Sequence, residues 1–303
     1  MASDPARLLL VLGLPQAGGD QVRRALELCG APLLASPGLE PLHQQALAAA
    51  STSWQATRSL PLRWFGSEAM PALCQQLTTE LAPLLPEHGL RVLQMAGLER
   101  LLPLWQKALA ETPVQPAYVL VLRHPLEVAE ALRRSEGWSR DKALLVWLQS
   151  TLAMEAPTRG QARVVIEQEQ LQWDPDGALN RLEAGLNLQL PERSHERLLQ
   201  WEQERPHQPL AQLPQGEQLA EASPLLQMAL ELHGWLQAEA RGQERPRLMP
   251  EVICQQLAWA EALYGRTLAE EQQHRQQAEA QLQKLKSGRL VRLSRWLRRD
   301  PAA

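Results

Sequence analysis

The chain has little cysteine and no long apolar run. Its 303 residues include three cysteines, Cys29, Cys74 and Cys254, which are too few and too scattered for a disulfide framework or a zinc site. No apolar run approaches the roughly eighteen residues of a membrane span. The short run Leu8 to Leu14 ends in a turn and does not resemble a signal peptide. These absences argue against a secreted disulfide scaffold and an integral membrane protein, and they predict a cytoplasmic location.

Excess positive charge is also missing. Lys and Arg number 31 against 34 Asp and Glu, a formal net charge of −3. This balance predicts no nucleic-acid partner. The charge is unevenly distributed, because the segment from Lys284 onward has seven basic residues and one acidic residue, Asp300, a net +6.

Residues 1–190 alternate apolar strand patterns with helical patterns. Strands are expected at about 7–12, 90–94, 117–122 and 162–167, and helices near 20–30, 41–50, 68–82, 98–111, 125–135, 139–157 and 176–186. This alternation predicts an α/β domain over residues 1–190, with a mostly parallel sheet and helices on both faces. A Pro- and Gln-rich linker with one helix is expected at 191–250, followed by a helical extension at 251–303.

One strand runs directly into a helix with an arginine at the turn. Residues 119–122 are apolar without alternation, as in a strand covered on both faces, and Pro125 suits a first helical turn. Arg123 is therefore expected at the carboxyl end of a strand, where open α/β sheets bind anionic ligands. The alternative is an arginine that closes the strand and pairs with a surface carboxylate such as Glu127.

A second strand-turn-helix unit begins at Arg7. Gly13 and Gly18 have the G-x-x-x-x-G spacing of a phosphate loop, but no Lys and Ser or Thr follow them. Asp20 is a good helix N-cap residue, and its carboxylate would oppose an anion at that helix end. The alternative to a phosphate loop is an ordinary glycine-containing turn between a strand and a helix.

These segments resemble the sulfotransferase family, whose sulfuryl donor is 3′-phosphoadenosine 5′-phosphosulfate (PAPS). The run Arg-His-Pro-Leu-Glu-Val-Ala followed by Leu-Arg-Arg, within residues 123–134, is similar to the family's 3′-phosphate-binding segment, and the resemblance covers about residues 8–190. It implies a sulfotransferase or P-loop-like fold. It also implies a donor site formed by Gly13, Gln16, Gly18, Gly19 and Arg123, with Ser135 as the nearest hydroxyl because the family's serine position is Ala131.

The charged residues of the family pattern are replaced. Gln16 stands at the basic position of the loop, residues 94–97 replace a Lys-Asp-Pro-Arg segment, and Gln168 replaces a tyrosine after the last core strand. Glu40 and His43 are the candidate bases, and the alternative for each is a solvated residue at a helix end.

Two functions follow from the resemblance. One is transfer of a sulfuryl group from PAPS to a carbohydrate or other hydroxyl acceptor, with no metal. The other is a catalytically inactive sulfotransferase-fold binding or scaffold protein. The loop from Gly13 to Asp20 favours the second.

The C-terminal residues carry their own pattern. Residues 251–286 have almost no helix breakers and a thin apolar stripe, which indicates a long helix, either in a short coiled coil or packed on its own domain. In residues 289–299 the leucines and Trp296 alternate with arginines as in an amphipathic interfacial helix. This tail is expected to bind an anionic inner-membrane surface or a protein partner, or to be only a solvated basic terminus.

Overall fold

A four-stranded parallel sheet forms the centre of the protein. The computed structural model describes residues 6–85, 87–205, 223–246 and 248–263. The strands β1 (Arg7–Leu12), β2 (Leu90–Leu93), β3 (Gln115–Leu122) and β4 (Arg163–Glu167) lie in the order β2-β1-β3-β4. Every pair is parallel, with Leu10 opposite Leu93 on one side and Tyr118 on the other. The strand expected before Gly13 and the one before Arg123 are therefore neighbours with their carboxyl ends at one edge, as predicted.

Ten α-helices are described around this sheet. Their bounds are α1 (Gly19–Leu28), α2 (Leu39–Ala49), α3 (Ala69–Leu81), α4 (Leu102–Ala110), α5 (Pro125–Glu136), α6 (Arg140–Thr158), α7 (Gln168–Trp173), α8 (Pro175–Leu186), α9 (His195–Glu204) and α10 (Pro224–Ala240). Short 3₁₀ turns occur at Pro15–Ala17, Leu62–Gly66 and Leu98–Leu101.

Local sequence explains several helix starts. Ser139, Asp174 and Ser223 each accept a hydrogen bond from a backbone N–H of the turn that follows. Proline occupies the first turn of α8 and α10, where its missing N–H removes no intrahelical bond. Asp20 was expected as the cap of α1, but Gly18 holds that position with φ +95° and Asp20 lies one residue inside the helix. The left-handed backbone explains the change, because glycine adopts it without strain.

Apolar residues cover both faces of the sheet. On one face, alternate residues of β1 and β3 such as Leu9 and Val119 pack with α1, α8 and the buried Trp201 of α9. The helices α4 and α6 lie against β3, and α10 lies against β3 and β4. The predicted fold class, α/β with a mostly parallel sheet and helices on both faces, is confirmed.

The sequence patterns did not predict two of the helices. α7 begins directly after β4, and α9 falls in the stretch expected to be linker. Ser194 caps α9, and its Trp201 donates a hydrogen bond from Nε1 to the carbonyl of Gln21 over 3.2 Å. Trp201, the partly buried Leu198 and an ion pair between Glu204 and Arg24 of α1 attach this mostly polar helix to the domain.

The chain divides into two compact units, Met1–Pro250 and Glu251–Ala303. In the second unit the described residues, 251–263, are helical. The predictions for a coiled coil beyond residue 263 and for the basic tail lie outside the described residues. Among the described helices, none is long and apolar enough to cross a membrane.

Candidate functional site

The candidate site lies at the carboxyl edge of the sheet, beside the loop between β1 and α1. Gly13 has φ +146°, and a Cβ there would lie 3.2 Å from the carbonyl oxygen of Val121. Within the loop, the N–H of Ala17 donates to the carbonyl of Leu14 over 2.9 Å. Gly13 and Gly18, both with positive φ, thus allow a tight turn that packs against β3. Helix α1 begins immediately after this turn.

Arg123 follows β3 and extends toward this loop. Its Nε donates to Glu127 Oε2 over 3.0 Å, and one terminal nitrogen donates to the carbonyl of Gln16 over 2.9 Å. The side chains of Arg123 and Glu127 are only 7% and 2% exposed. Glu127 is therefore a buried partner and not the surface carboxylate considered from sequence. The ion pair satisfies the charge of Arg123 within the protein.

Two glutamines lie against the loop glycines. A Cβ on Gly18 would overlap Cγ of Gln168, and one on Gly19 would lie 2.6 Å from Nε2 of Gln94. The Gln168 amide donates to Gln21 Oε1 over 3.2 Å. These are the glutamines that the sequence resemblance aligns with a tyrosine and a Lys-Asp-Pro-Arg segment. Side chains of the protein itself therefore occupy the space beside the start of α1.

Carboxylates dominate the charge at the ends of β3 and β4. Glu167 accepts hydrogen bonds from Gln237 over 2.7 Å and from Arg241 over 3.2 Å. Burial raises the pKa of Glu169, and the negative charges of Glu127 and Glu167 raise it further, against the opposite effects of Arg123 and Arg241. The edge is therefore a poor environment for an additional anion.

Two histidine rings are in contact beside this edge, and one of them, His124, directly follows Arg123. The rings of His124 and His233 are 5.0 Å apart in an edge-to-face arrangement. His124 accepts a hydrogen bond from the N–H of Leu126 through Nδ1, so it caps α5. Burial, and then the nearby His124, lowers the pKa of His233 to about 4. Both rings have pKa values below the ordinary range because they are buried.

The candidate bases lie elsewhere in the fold. His43 has no solvent exposure, its Nε2 lies 3.1 Å from the Ala96 carbonyl, and its Nδ1 accepts from Trp105 over 3.3 Å. It is a core residue of α2, not a solvated helix-end residue, and burial lowers its pKa. Glu40 is exposed and accepts a hydrogen bond from Gln44. Ser135 is exposed near the end of α5, one helical turn beyond Ala131.

The donor of the sulfotransferase family does not fit these residues. Its 3′-phosphate requires free cationic donors, whereas the guanidinium of Arg123 is bonded to Glu127. Its phosphosulfate requires open backbone N–H groups at the start of α1, where Gln168, Gln94 and the acidic Asp20 lie. Within the described ranges, no group of three or more His, Cys, Asp or Glu residues is arranged to hold a metal ion.

Comparison with solved structures finds distant likenesses. A sulfotransferase domain from the Synechococcus PCC 7002 olefin synthase is 16% identical, covers 84% of this chain and 96% of that domain, and superposes with a TM-score of 0.43. A sulfotransferase domain from the curacin biosynthetic pathway is 16% identical and covers 84% of this chain and 99% of its own, with a TM-score of 0.41. A sugar kinase from Janibacter sp. HTCC2649 is 14% identical and covers 63% of this chain and all of its own, with a TM-score of 0.37.

No family model matches the chain, and no curated protein matches it. The superpositions are too weak to carry an argument about chemistry. The parallel sheet with helices on both faces therefore rests on the geometry of this chain, and the resemblance to sulfotransferases rests on the residues at the ends of β1 and β3.

Proposed function

We propose that this chain is a catalytically inactive member of the sulfotransferase fold that works as a binding or scaffold protein. The observation that supports this most directly is the ion pair between Arg123 and Glu127. Arg123 is the residue that the family resemblance assigns to the donor's 3′-phosphate. Here its charge is already balanced in the folded protein.

Donor binding at Arg123 would bring a phosphate next to a buried carboxylate. Glu127 is 2% exposed, so water screens it poorly. Two like charges about 4 Å apart repel by about 4 kcal/mol at the effective dielectric constant of a partly buried site. The attraction of the same phosphate to Arg123 has a similar size and the opposite sign, so the ion pair offers an anion little net attraction.

The loop side supports the same proposal. The resemblance places a basic residue at Gln16, yet the structure uses its carbonyl oxygen as the acceptor for Arg123. Gln168 and Gln94 pack where an anion would approach Gly18 and Gly19. A sulfuryl-transfer enzyme needs cations at this point to stabilise the leaving charge. Here the side chains against Gly18 and Gly19 are neutral amides, and the nearby Arg23 is bonded to Gln94 over 3.1 Å and to Glu27 over 2.6 Å.

Titration with adenosine 3′,5′-bisphosphate, the desulfated donor, tests the proposal. We expect no thermal shift at millimolar ligand and no sulfuryl transfer from PAPS to carbohydrate acceptors. Two variants provide the matched comparison: Arg123→Ala at the site, and Arg133→Ala, an exposed arginine of the same helix. Micromolar binding that Arg123→Ala abolishes and Arg133→Ala retains would restore the enzyme hypothesis.

A further inference from the structure

Two carboxylates lie beside the loop where the family resemblance would place a phosphosulfate. Glu169, in the first turn of α7, is half-buried and forms no hydrogen bond with a described residue. Asp20, in the first turn of α1, is exposed and forms none either. Glu169 directly follows Gln168, whose side chain lies against Gly18, and Asp20 is two residues beyond Gly18. The contact between α7 and the loop therefore has one such carboxylate on each element.

Arginines at this edge already have carboxylate partners. The pairs are Arg123 with Glu127 over 3.0 Å, Arg241 with Glu167 over 3.2 Å and Arg23 with Glu27 over 2.6 Å. Each pair is neutral as a whole, so the carboxylates of Glu169 and Asp20 add net negative charge to the edge. The positive ends of α1 and α7 offset at most about half a charge each. The charge that remains attracts a cation and repels an anion.

A buried oxygen close to Glu169 strengthens the negative potential. Oε1 of Glu127 is buried and accepts no hydrogen bond from a described residue, although Oε2 is bonded to Arg123. After burial itself, Glu127 is the largest cause of the raised pKa of Glu169, so the two carboxylates are close neighbours. Buried acceptors in folded proteins normally have a partner. A cation bound at Glu169 would therefore compensate both carboxylates.

A neutral imidazole lies at the same edge. Burial lowers the pKa of His233 to about 4, so its ring is neutral at pH 7 and one ring nitrogen can accept a hydrogen bond. Neither ring nitrogen is bonded to a described residue. Glu167 and Arg241 act electrostatically on both His233 and Glu169, so the ring and the carboxylate share these neighbours. The edge therefore offers acceptors at separate points.

The separation of these acceptors determines which cation fits. Within the described ranges, no three His, Cys, Asp or Glu residues are arranged to hold a metal ion, so a compact divalent cation is not matched. A linear polyamine carries several ammonium groups along a flexible aliphatic chain. Each ammonium group is a hydrogen-bond donor and not an acceptor, which complements carboxylates and a neutral imidazole.

We propose that the carboxyl edge of the sheet binds a linear polyamine, with one ammonium group on Glu169 and another on Asp20. This inference rests on the proposed function, because it requires that the site does not hold the anionic donor of the family. It names the ligand that a binding protein with this edge would hold, and that ligand has the opposite charge.

Calorimetry of the full chain with spermidine at low salt tests the proposal. We expect submillimolar binding that Glu169→Gln weakens by about tenfold or more, through loss of a charge-assisted contact. Glutamine keeps the size of the side chain, and urea unfolding checks that the variant is folded. The matched control is Glu87→Gln, at an exposed carboxylate before β2 at the amino end of the sheet. It removes the same charge and should change the affinity by less than about twofold, because solvent screens distant charges.

Asp20→Asn tests the second contact. We expect it to weaken spermidine binding by about threefold or more, with a smaller effect than Glu169→Gln because Asp20 is exposed. An unchanged affinity would overturn the contact between Asp20 and an ammonium group.

Two results would overturn the polyamine site as a whole. One is an intact chain that does not bind spermidine. The other is equal weakening by Glu169→Gln and Glu87→Gln, which would show only a general attraction to an acidic protein. The titration with adenosine 3′,5′-bisphosphate separates this inference from the proposed function. If neither ligand binds, the proposed function stands and the polyamine site is wrong, whereas binding of the bisphosphate would refute both.

Discussion

Two arginines with buried side chains lie at opposite ends of neighbouring strands of the sheet. Arg123 follows β3 at the carboxyl end and is 7% exposed, and Arg163 begins β4 at the amino end and is 6% exposed. Sequence resemblance assigns a ligand to the first and nothing to the second. In the structure both pair with carboxylates of the protein, so position at the functional edge does not by itself keep an arginine free for a ligand.

The two arginines differ in what they connect. Arg163 bonds Glu155 of α6 at 3.3 Å and both carboxylate oxygens of Glu239 of α10 at 2.8 Å, so it joins a strand and two helices. It also donates to the carbonyl of Glu155 and the hydroxyl of Thr158. Arg123 pairs within its own strand-helix turn and reaches one loop carbonyl. The amino end is therefore expected to matter more for stability.

Removing Arg163 should have the largest effect. Arg163→Met keeps an unbranched apolar stem but leaves the Glu155 carboxylate, which has no solvent exposure, and Glu239 with fewer partners. Breaking a buried pair on one side costs about 3 to 5 kcal/mol. Arg159 and Arg245 still contact these carboxylates, so we expect about 3 kcal/mol by urea unfolding. Arg133→Met, at an exposed pair, should change stability by less than about 1 kcal/mol. Equal losses in the two variants would contradict the structural role of Arg163.

The carboxyl end should also respond to pH through His233. Its folded pKa of about 4 lies below the ordinary 6.5, so the unfolded chain takes up a proton between these values and the folded chain does not. Stability is therefore complete above about pH 6.5 and falls as the pH decreases toward 4, by about 3 kcal/mol at most. The charged groups and rings that face it are His124, Glu167, Arg241 and Trp147. Carboxylates titrate in the same range and also change the stability. The test is therefore to compare how the free energy of unfolding depends on pH in the wild type and in His233→Leu. Equal dependence in the two proteins would refute this prediction.

The sequence predicted the sheet well because the strand signal is local. The apolar runs at Leu8 and Val119 are buried on both faces, and the turns that follow them contain glycine or proline, so strand positions and parallel pairing could be inferred, whereas the order of the strands was not. α9 was missed because its burial depends on Trp201, whose partner Gln21 is 180 residues away.

The site residues could be located but not their contacts. Glu127 was considered as a partner for Arg123 because it lies four residues away on one helix face, a local relation. That it is buried could not be inferred. Gln168 and Gln94 were marked as departures from the family pattern, but only the fold brings them against Gly18 and Gly19. His43 was misjudged because its neighbours, Ala96 and Trp105, are distant in sequence.

Removing Arg123 should have a moderate effect. Arg123→Ala leaves Glu127 without its ion-pair partner at 2% exposure, although the first turn of α5 still favours a negative charge there. We expect a loss of about 2 kcal/mol in unfolding free energy, within the range for removing a hydrogen bond to a buried charged group. In the Glu127→Gln background the same substitution should cost less. If Arg123→Ala leaves stability unchanged, the arginine is not committed to the fold and the comparison with Arg163 fails.

The smallest expected effect on stability is that of Gln168→Ala. This variant separates the two obstacles to anion binding, which are the Gln168 side chain against Gly18 and the pairing of Arg123 with Glu127. Gln168 is buried and its amide bonds Gln21, but Gln172 also donates to Gln21, over 3.4 Å. Its loss should therefore cost about 1 kcal/mol, as for one net hydrogen bond.

Space opens beside Gly18, yet Arg123 stays paired with Glu127, so calorimetry with pyrophosphate should still detect no binding. The double variant Gln168→Ala, Glu127→Gln frees the guanidinium as well, and there we expect millimolar or tighter binding. If Gln168→Ala alone binds pyrophosphate, the glutamine and not the ion pair excludes anions, and Arg123 would have kept its capacity for a ligand despite its buried partner.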